Sequence, residues 1–332
     1  MKWNRRIVRT MAIGAAAGLV LSGCAGGDAA PEDPATNGGD TEGVEIAFVP
    51  GVIGDEFYIS MECGIQDAAA AAGATVNVQG PQQFDATLQQ PLVDSVVASQ
   101  PDVLLIAPTD VTAMQAPINA AAEAGITVVL VDTTLDDPSM AVSRIASDNI
   151  GGGAAAFEAI KEQNPDGGKV LVIGLTPGIS TTDARTEGFE NAAAADSSFE
   201  YVGVEYSDNE PAKAAQLVTA ALQADPDIVG IFAVNLFAAE GTATGVRQAN
   251  ASENVTVVGF DAGPAQVEQL REGIVQALIA QEPRNIGEQA VEQALAALNG
   301  DPVEEEIQTG FTIITQENID GEGADAAYQS SC

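Results

Sequence analysis

Histidine is absent from all 332 residues of the chain. Its absence removes the usual neutral-pH general base and the commonest metal ligand, so Ser/His/Asp, Cys/His and His-Glu-x-x-His chemistry is unavailable. Basic residues are scarce as well: 12 Lys and Arg stand against 48 Asp and Glu, a formal charge of −36. Lys2, Arg5, Arg6 and Arg9 all fall within the first ten positions, so the remainder is more acidic still. Such a field repels polyanions and excludes nucleic acid as a partner; otherwise it reads as a solubilising surface. Aromatic residues make up only 5%, and alanine and glycine supply much of the 46% that is hydrophobic. With a mean hydropathy of +0.10, a chain of this length has room for two globular cores. No EF-hand pattern is present, and no metal or cofactor is expected. There are three cysteines, Cys24, Cys63 and Cys332.

The chain opens with a basic segment, Met1 to Thr10, a short apolar run, Met11 to Val20, and then Leu21-Ser22-Gly23-Cys24. This is the layout of a secretory signal whose apolar run is too short for a permanent membrane span. The Leu-Ser-Gly-Cys ending resembles a bacterial lipobox, which implies removal of residues 1–23 and lipidation of Cys24. Residues 24–43 are rich in Gly, Ala, Pro, Asp and Glu without apolar periodicity, which predicts a disordered tether.

From Val44 onward, strand-type runs alternate with helical patterns. The strands are expected at 44–49, 75–78, 103–107, 127–132, 169–173, 200–205, 227–233, 255–261 and 274–280. Strict alternation argues for an α/β fold of parallel sheets covered by helices, and the number of units is too large for one ordinary sheet. Several strands run into a polar residue: Val128 to Asp132 (VVLVD) ends in an acid, Val257 to Pro264 (VVGFDAGP) runs into Asp261 before it turns, and Val103 to Asp110 (VLLIAPTD) repeats the grammar with Ala107 in the acid's place. In open parallel sheets the carboxyl ends of the strands face the ligand crevice, so Asp132 and Asp261 are aimed at whatever enters. The other reading is an Asp that caps a helix or a turn. Gly151-Gly152-Gly153 lacks the Lys-Ser/Thr ending of a phosphate loop and reads as close packing at a helix start. Glu304 to Glu306 reads as a solvated acidic turn.

Taken together, Phe57-Tyr58, LLIAPTD at 104–110, VVLVD, IASDN at 145–149, ARTEGF at 184–189, FAVN at 232–235, VVGFDAGP and IAQ at 279–281 resemble the ribose-binding-protein type of solute receptor, the periplasmic-binding-protein type I fold serving ABC importers. The resemblance implies two similar lobes, each a parallel sheet flanked by helices, joined by a three-segment hinge. The first lobe is then 44–147 plus 282–310, the second 148–281 plus 311–320, with a tail over 321–332. It further implies that a sugar ring stacks on Phe57 and Tyr58, and that Asp132, Asn235, Asp261 and Gln281 hold its hydroxyls. Because adjacent helical residues point in different directions, one of the two aromatics is expected to turn away. Asn235 also suits a helix cap. Asp55, just before the aromatics, is a further candidate.

The departures from that family bear on specificity. Thr133 stands where the ribose receptors carry an arginine beside the first Asp, Asp183 replaces one before the ARTEGF-like segment, and Asn209 falls about where they have an aromatic. The pocket is therefore expected to lose two guanidinium groups and gain a carboxylate, which rules out a simple transfer of ribose specificity. Arg185 either pairs with Asp183 or is structural. Outside the cytoplasm, with Cys24 lipidated, Cys63 and Cys332 are expected to form a disulfide that fastens the tail to the first lobe.

The resulting expectation is a monomeric, membrane-anchored extracytoplasmic binding protein, not an enzyme, that closes on a small neutral sugar or polyol and presents it to an ABC permease. A receptor for a signalling partner would use the same pocket. A glycoside hydrolase would need two of Asp55, Asp132, Asp183 and Asp261 as acid and base.

Overall fold

The computed structural model describes residues 43–332; the residues before Gly43, read above as a signal segment and tether with Cys24 among them, lie outside the described residues. Gly43 already belongs to the fold, its N–H donating to the Gly73 carbonyl at 3.2 Å. In chain order the first elements are β1 (Glu45–Val49), α1 (Glu56–Ala71), β2 (Thr75–Val78), α2 (Ala86–Ser99), β3 (Val103–Ile106), α3 (Gln115–Glu123), β4 (Thr127–Val131) and β5 (Ser143–Ser147). There follow α4 (Asn149–Gln163), β6 (Gly168–Gly174), α5 (Ser180–Ala194), β7 (Phe199–Tyr206), α6 (Pro211–Ala224), β8 (Ile228–Ala233), α7 (Leu236–Gln248), β9 (Thr256–Phe260), α8 (Pro264–Arg271) and β10 (Ala277–Gln281). The chain ends with α9 (Pro283–Asn299), β11 (Glu306–Thr309), β12 (Phe311–Thr315) and the short α10 (Glu322–Asp325).

These strands form two six-stranded sheets, ordered β11-β5-β4-β3-β1-β2 and β12-β10-β9-β8-β6-β7. Every pairing is parallel except that of β12 with β10. The central strands are continuous apolar runs because helices cover both faces; β3 (VLLI) and β9 (TVVGF) are buried throughout. Each fully buried Leu, Ile or Val contributes roughly 1.5–3 kcal/mol to this core.

Three strands depart from the alternation read in the sequence. No strand is expected from the sequence at 143–147, 306–309 or 311–315, where β5, β11 and β12 lie. β11 and β12 are edge strands, and β5 alternates buried and half-buried positions, so none carries the apolar run that marks a central strand. Glu306 accordingly opens a strand rather than lying in an acidic turn, and it pairs with Arg144 at 2.6 Å. The expected strand 274–280 begins at Ala277 instead.

The chain passes between the sheets after β5, after β10 and between β11 and β12, which makes the three-segment hinge. Ser147 Oγ at the end of β5 donates to Gln281 Oε1 at the end of β10 at 2.8 Å, tying the two sheets at this point. In the second lobe α4 and α5 pack almost backbone to backbone: a Cβ on Gly153 would lie 2.0 Å from the Arg185 carbonyl oxygen, and one on Gly188 would lie 2.1 Å from that of Ile150. The glycine run therefore sets the depth at which α5, and with it Arg185, is seated.

Candidate functional site

Strand ends build the site. β4 stops at Val131, and Asp132 takes φ 62°; β9 stops at Phe260, and Asp261 takes φ 77°. Aspartate tolerates this left-handed conformation better than most side chains, and the turn carries each acid off the sheet plane. The two lobes do this in the same way: Asp132 N–H donates to the Ile145 carbonyl and Asp261 N–H to the Ile279 carbonyl, both at 2.8 Å. Both acids are buried, and both line one cavity between the lobes.

Asp55, Phe57, Tyr58, Asn209, Asn235 and Gln281 line the same cavity. Asp55 caps α1, its Oδ1 accepting from the Phe57 N–H at 2.9 Å. Contrary to the expectation that one aromatic turns away, Phe57 and Tyr58 are both buried and both reach the cavity, edge to face with centroids 5.1 Å apart. They sit in the first turn of α1, where the helix end and not one of its faces meets the cleft. Tyr58 Oη donates to Asp132 Oδ2 at 2.7 Å. Asn235 does double duty: its Oδ1 accepts from Ala238 N–H at 3.3 Å as the cap of α7, and its Nδ2 donates to Asn209 Oδ1 at 2.7 Å. Asp261 Oδ2 takes the Leu236 N–H at the start of the same helix, at 2.9 Å, and its Oδ1 takes Gln281 Nε2 at 2.6 Å.

Asp183 is not in the cavity. It is exposed in the first turn of α5 and accepts the Gly178 N–H at 2.8 Å, so the pocket gains no carboxylate from it. Arg185, two residues on, is the group that faces inward. It is buried, lines the cavity and lies with Cζ 3.8 Å from the centroid of the Phe260 ring. Its Nε donates to Asn149 Oδ1 at 2.8 Å and its Nη1 to the Val234 carbonyl at 2.9 Å; no bond joins it to Asp183. Arg185 is thus structural and part of the site at once, and the pocket keeps one guanidinium. Thr133 is buried and bonds the Pro108 carbonyl at 2.7 Å, fixing backbone instead of facing a ligand.

Three buried carboxylates therefore share one cation. Burial, and then the charge of Asp261, pushes the Asp55 carboxyl well above the ordinary carboxylate range. Burial lifts Asp132 to about 6, although the Arg185 guanidinium and the Tyr58 hydroxyl pull it down. Asp261 is raised by burial too, against the pull of Arg185, Gln281 and Tyr328. Among the described residues no protein donor meets Asp55 Oδ2 or Asp132 Oδ1, and no protein acceptor meets Arg185 Nη2. A wall of this kind calls for hydroxyl donors and repels anions. An aromatic pair beside it offers π-faces to the weakly positive C–H edges of a ring.

The lobes are closed over this cavity. Thr134 N–H, in the loop after β4, donates to Ser180 Oγ of α5 at 2.9 Å, and Val111 N–H donates to the Gly178 carbonyl at 3.3 Å. Several groups were not found by reading the sequence, among them Leu175, Ile179, Thr181 and Thr182, which line the cavity. Phe84, in the loop before α2, lines the cavity. Tyr328, from the tail, stands behind Asp261 with its Oη 3.0 Å from Asp261 Oδ1. A lone aromatic in a polar stretch gives no periodic signal; only the neighbouring Cys332 hinted that the tail returns to the body. Cys332 is bonded to Cys63 of α1, with Cα atoms 5.3 Å apart.

Comparison with known proteins agrees with this geometry. Residues 46–302 match the model of the periplasmic binding protein domain family. The ribose import binding protein RbsB of Escherichia coli K12 is 31% identical over 272 residues, spanning 82% of this chain and 90% of its own. Among solved structures, an ABC transporter solute-binding protein of Agrobacterium vitis bound with α-D-tagatopyranose is 39% identical, with a TM-score of 0.84 over 86% of this chain and 99% of its own. A second one from that organism, with bound D-fucose, is 29% identical, with a TM-score of 0.82 over 86% of this chain and 100% of its own.

Proposed function

The chain belongs to the periplasmic binding protein family, in its ribose-receptor-like type, and from that premise we propose that it is a membrane-anchored receptor that closes on a neutral sugar or polyol and presents it to an ABC permease. The observation that carries this reading is the pair of strand-end acids, Asp132 and Asp261, held at positive φ on opposite lobes and lining one cavity. Each lobe contributes half of the hydroxyl-binding wall, so a ligand bridges them and its binding energy goes into closure. Hinge closure around a ligand is the behaviour by which periplasmic binding proteins are known, and the permease then distinguishes closed from open. The chain makes or breaks no bond in this role and needs no cofactor.

The finer parts of the reading follow from the sequence. Cys24 carries the lipid anchor, the tether stands the body off the membrane, and the protein works as a monomer with lobes divided at 147/148, 281/282 and 310/311. The ligand contacts are Asp55, Phe57, Tyr58, Asp132, Asn209, Asn235, Asp261 and Gln281, joined by Arg185. Three carboxylates against one guanidinium favour an uncharged, hydroxyl-rich ligand over a sugar phosphate or a sugar acid.

A thermal-shift screen of pentoses, hexoses, polyols, cyclitols, nucleosides and amino acids tests this. A ligand at 100-fold its dissociation constant adds about 2.7 kcal/mol to folded stability, readily seen as a higher melting temperature. A shift with one sugar or polyol, absent with its phosphorylated form, is the expected outcome. Shifts with amines or nucleosides alone would overturn the assignment.

A further inference from the structure

Beyond the contacts that line the cavity, we propose that Tyr328 is a positioning residue for ligand binding, held across the hinge by the Cys63–Cys332 disulfide so that its hydroxyl fixes Asp261 and Gln281 in their binding orientation. This deepens the sugar-receptor reading and rests on it.

The hydrogen-bond pattern is directional. Gln281 N–H can only donate, and it meets Tyr328 Oη at 2.9 Å. The hydroxyl proton is therefore left for Asp261 Oδ1, at 3.0 Å. Gln281 Nε2 reaches the same Oδ1 at 2.6 Å, and Leu236 N–H holds Oδ2 at 2.9 Å. Tyr328 thus joins the backbone of one ligand contact to the side chain of another. Asp132 in the first lobe has a matching tyrosine, but there it is Tyr58, from the helix that lines the cavity. In the second lobe the corresponding hydroxyl comes from the end of the chain.

The tail that delivers it touches both lobes. Tyr328 N–H donates to the Ala262 carbonyl at 2.9 Å, beside the acid it orients. One residue later, Gln329 N–H donates to Ser60 Oγ of α1 at 2.8 Å, and Cys332 is bonded to Cys63 of the same helix. The Tyr328 ring is buried, 6.0 Å from that of Phe57. Without the disulfide, a terminal segment with so few bonds to the body would fray, and the hydroxyl would leave with it.

The test uses the full chain and two readouts. In the ligand-free protein, the Asp261 carboxyl is followed by carbon-13 NMR titration, assigned by its loss in Asp261→Asn. Tyr328→Phe keeps the ring and removes only the proton donor, so the Asp261 titration moves to higher pH; Cys63→Ser/Cys332→Ser moves it in the same direction. With a sugar found to bind, Tyr328→Phe weakens affinity about 10-fold, the loss of affinity on acidification sets in at higher pH, and adding Tyr328→Phe to the cysteine variant costs less than a further 2-fold. An unchanged Asp261 titration and an unchanged affinity in folded Tyr328→Phe would overturn the proposal. So would a loss of affinity that is the same at every pH. A moved titration in a protein that binds no sugar would keep the positioning role and sink the sugar reading instead.

Discussion

Replacing Asp132 by asparagine is expected to make the ligand-free protein more stable while destroying its ability to bind. In the folded chain this carboxyl titrates at about 6, against an ordinary value of 3.8, and the first cause is burial. The folded state therefore holds its proton over a window in which the unfolded chain has released it. Stability falls as pH rises through that window, and above about pH 6 the full penalty is in place. The gap is worth about 3 kcal/mol at neutral pH and well under 1 kcal/mol near pH 4. Asparagine keeps the shape, accepts the Tyr58 hydroxyl and tolerates φ 62°. Arg185 still faces Asp261, so no cation is stranded. Denaturant unfolding of Asp132→Asn should thus show a gain approaching 3 kcal/mol at pH 7.5 that shrinks steadily toward pH 4. Sugar affinity should meanwhile fall at least about 100-fold, as loss of charge-assisted hydrogen bonds implies. A variant no more stable than the parent at pH 7.5, or one whose advantage is unchanged at pH 4, would refute the reasoning.

Other perturbations follow from the same structure. Gly153→Ala places a Cβ 2.0 Å from the Arg185 carbonyl oxygen, so α4 and α5 must separate; a loss of about 1–3 kcal/mol is expected in chemical denaturation, with weaker ligand binding because Arg185 moves. Glu240, half-buried on α7, is pushed up to about 7 by burial and by the charge of Glu56. Above that pH the group is charged and bears its full burial penalty, so Glu240→Gln should raise the melting temperature slightly at pH 8 and not at pH 4.5; solvent screening keeps the gain under about 1 kcal/mol. An equal gain at both values would contradict this. Sugar affinity of the parent should decline on acidification below about pH 6 as Asp132 takes up its proton, measurable by titration calorimetry from pH 8 to 4.5. A flat profile would remove Asp132 from the contact set.

The strand-end acids were legible because buried parallel strands are unbroken apolar runs, so the residue that ends the run stands out: Asp132 after VVLV, Asp261 after VVGF. β5, β11 and β12 escaped the same reading because they are short and mixed in polarity, and two of them close a sheet edge. Asp183 and Arg185 show what position alone misses. Residues two apart on a helix lie about 200° apart around its axis, so one of the pair faces the cleft and the other faces solvent. Sequence position named both, but only the docking of α5 on α4 through Gly153 and Gly188 decides which is inside. Phe57 and Tyr58 reach the cavity together because a helix end offers neighbouring residues a common direction that a helix face does not. Tyr328 belongs to no periodic element, and its place follows from the fold's last crossing and from the bond at Cys332.

The central claim is that one cavity binds a neutral, hydroxyl-rich ligand through acids from both lobes, and isothermal titration of the parent, Asp132→Ala and Asp261→Ala with the sugar found by screening tests it most directly. The account predicts one-to-one binding by the parent and its loss in both variants, since each acid belongs to a different lobe and neither lobe alone holds the ligand. Binding that survives either substitution with parent affinity would contradict it.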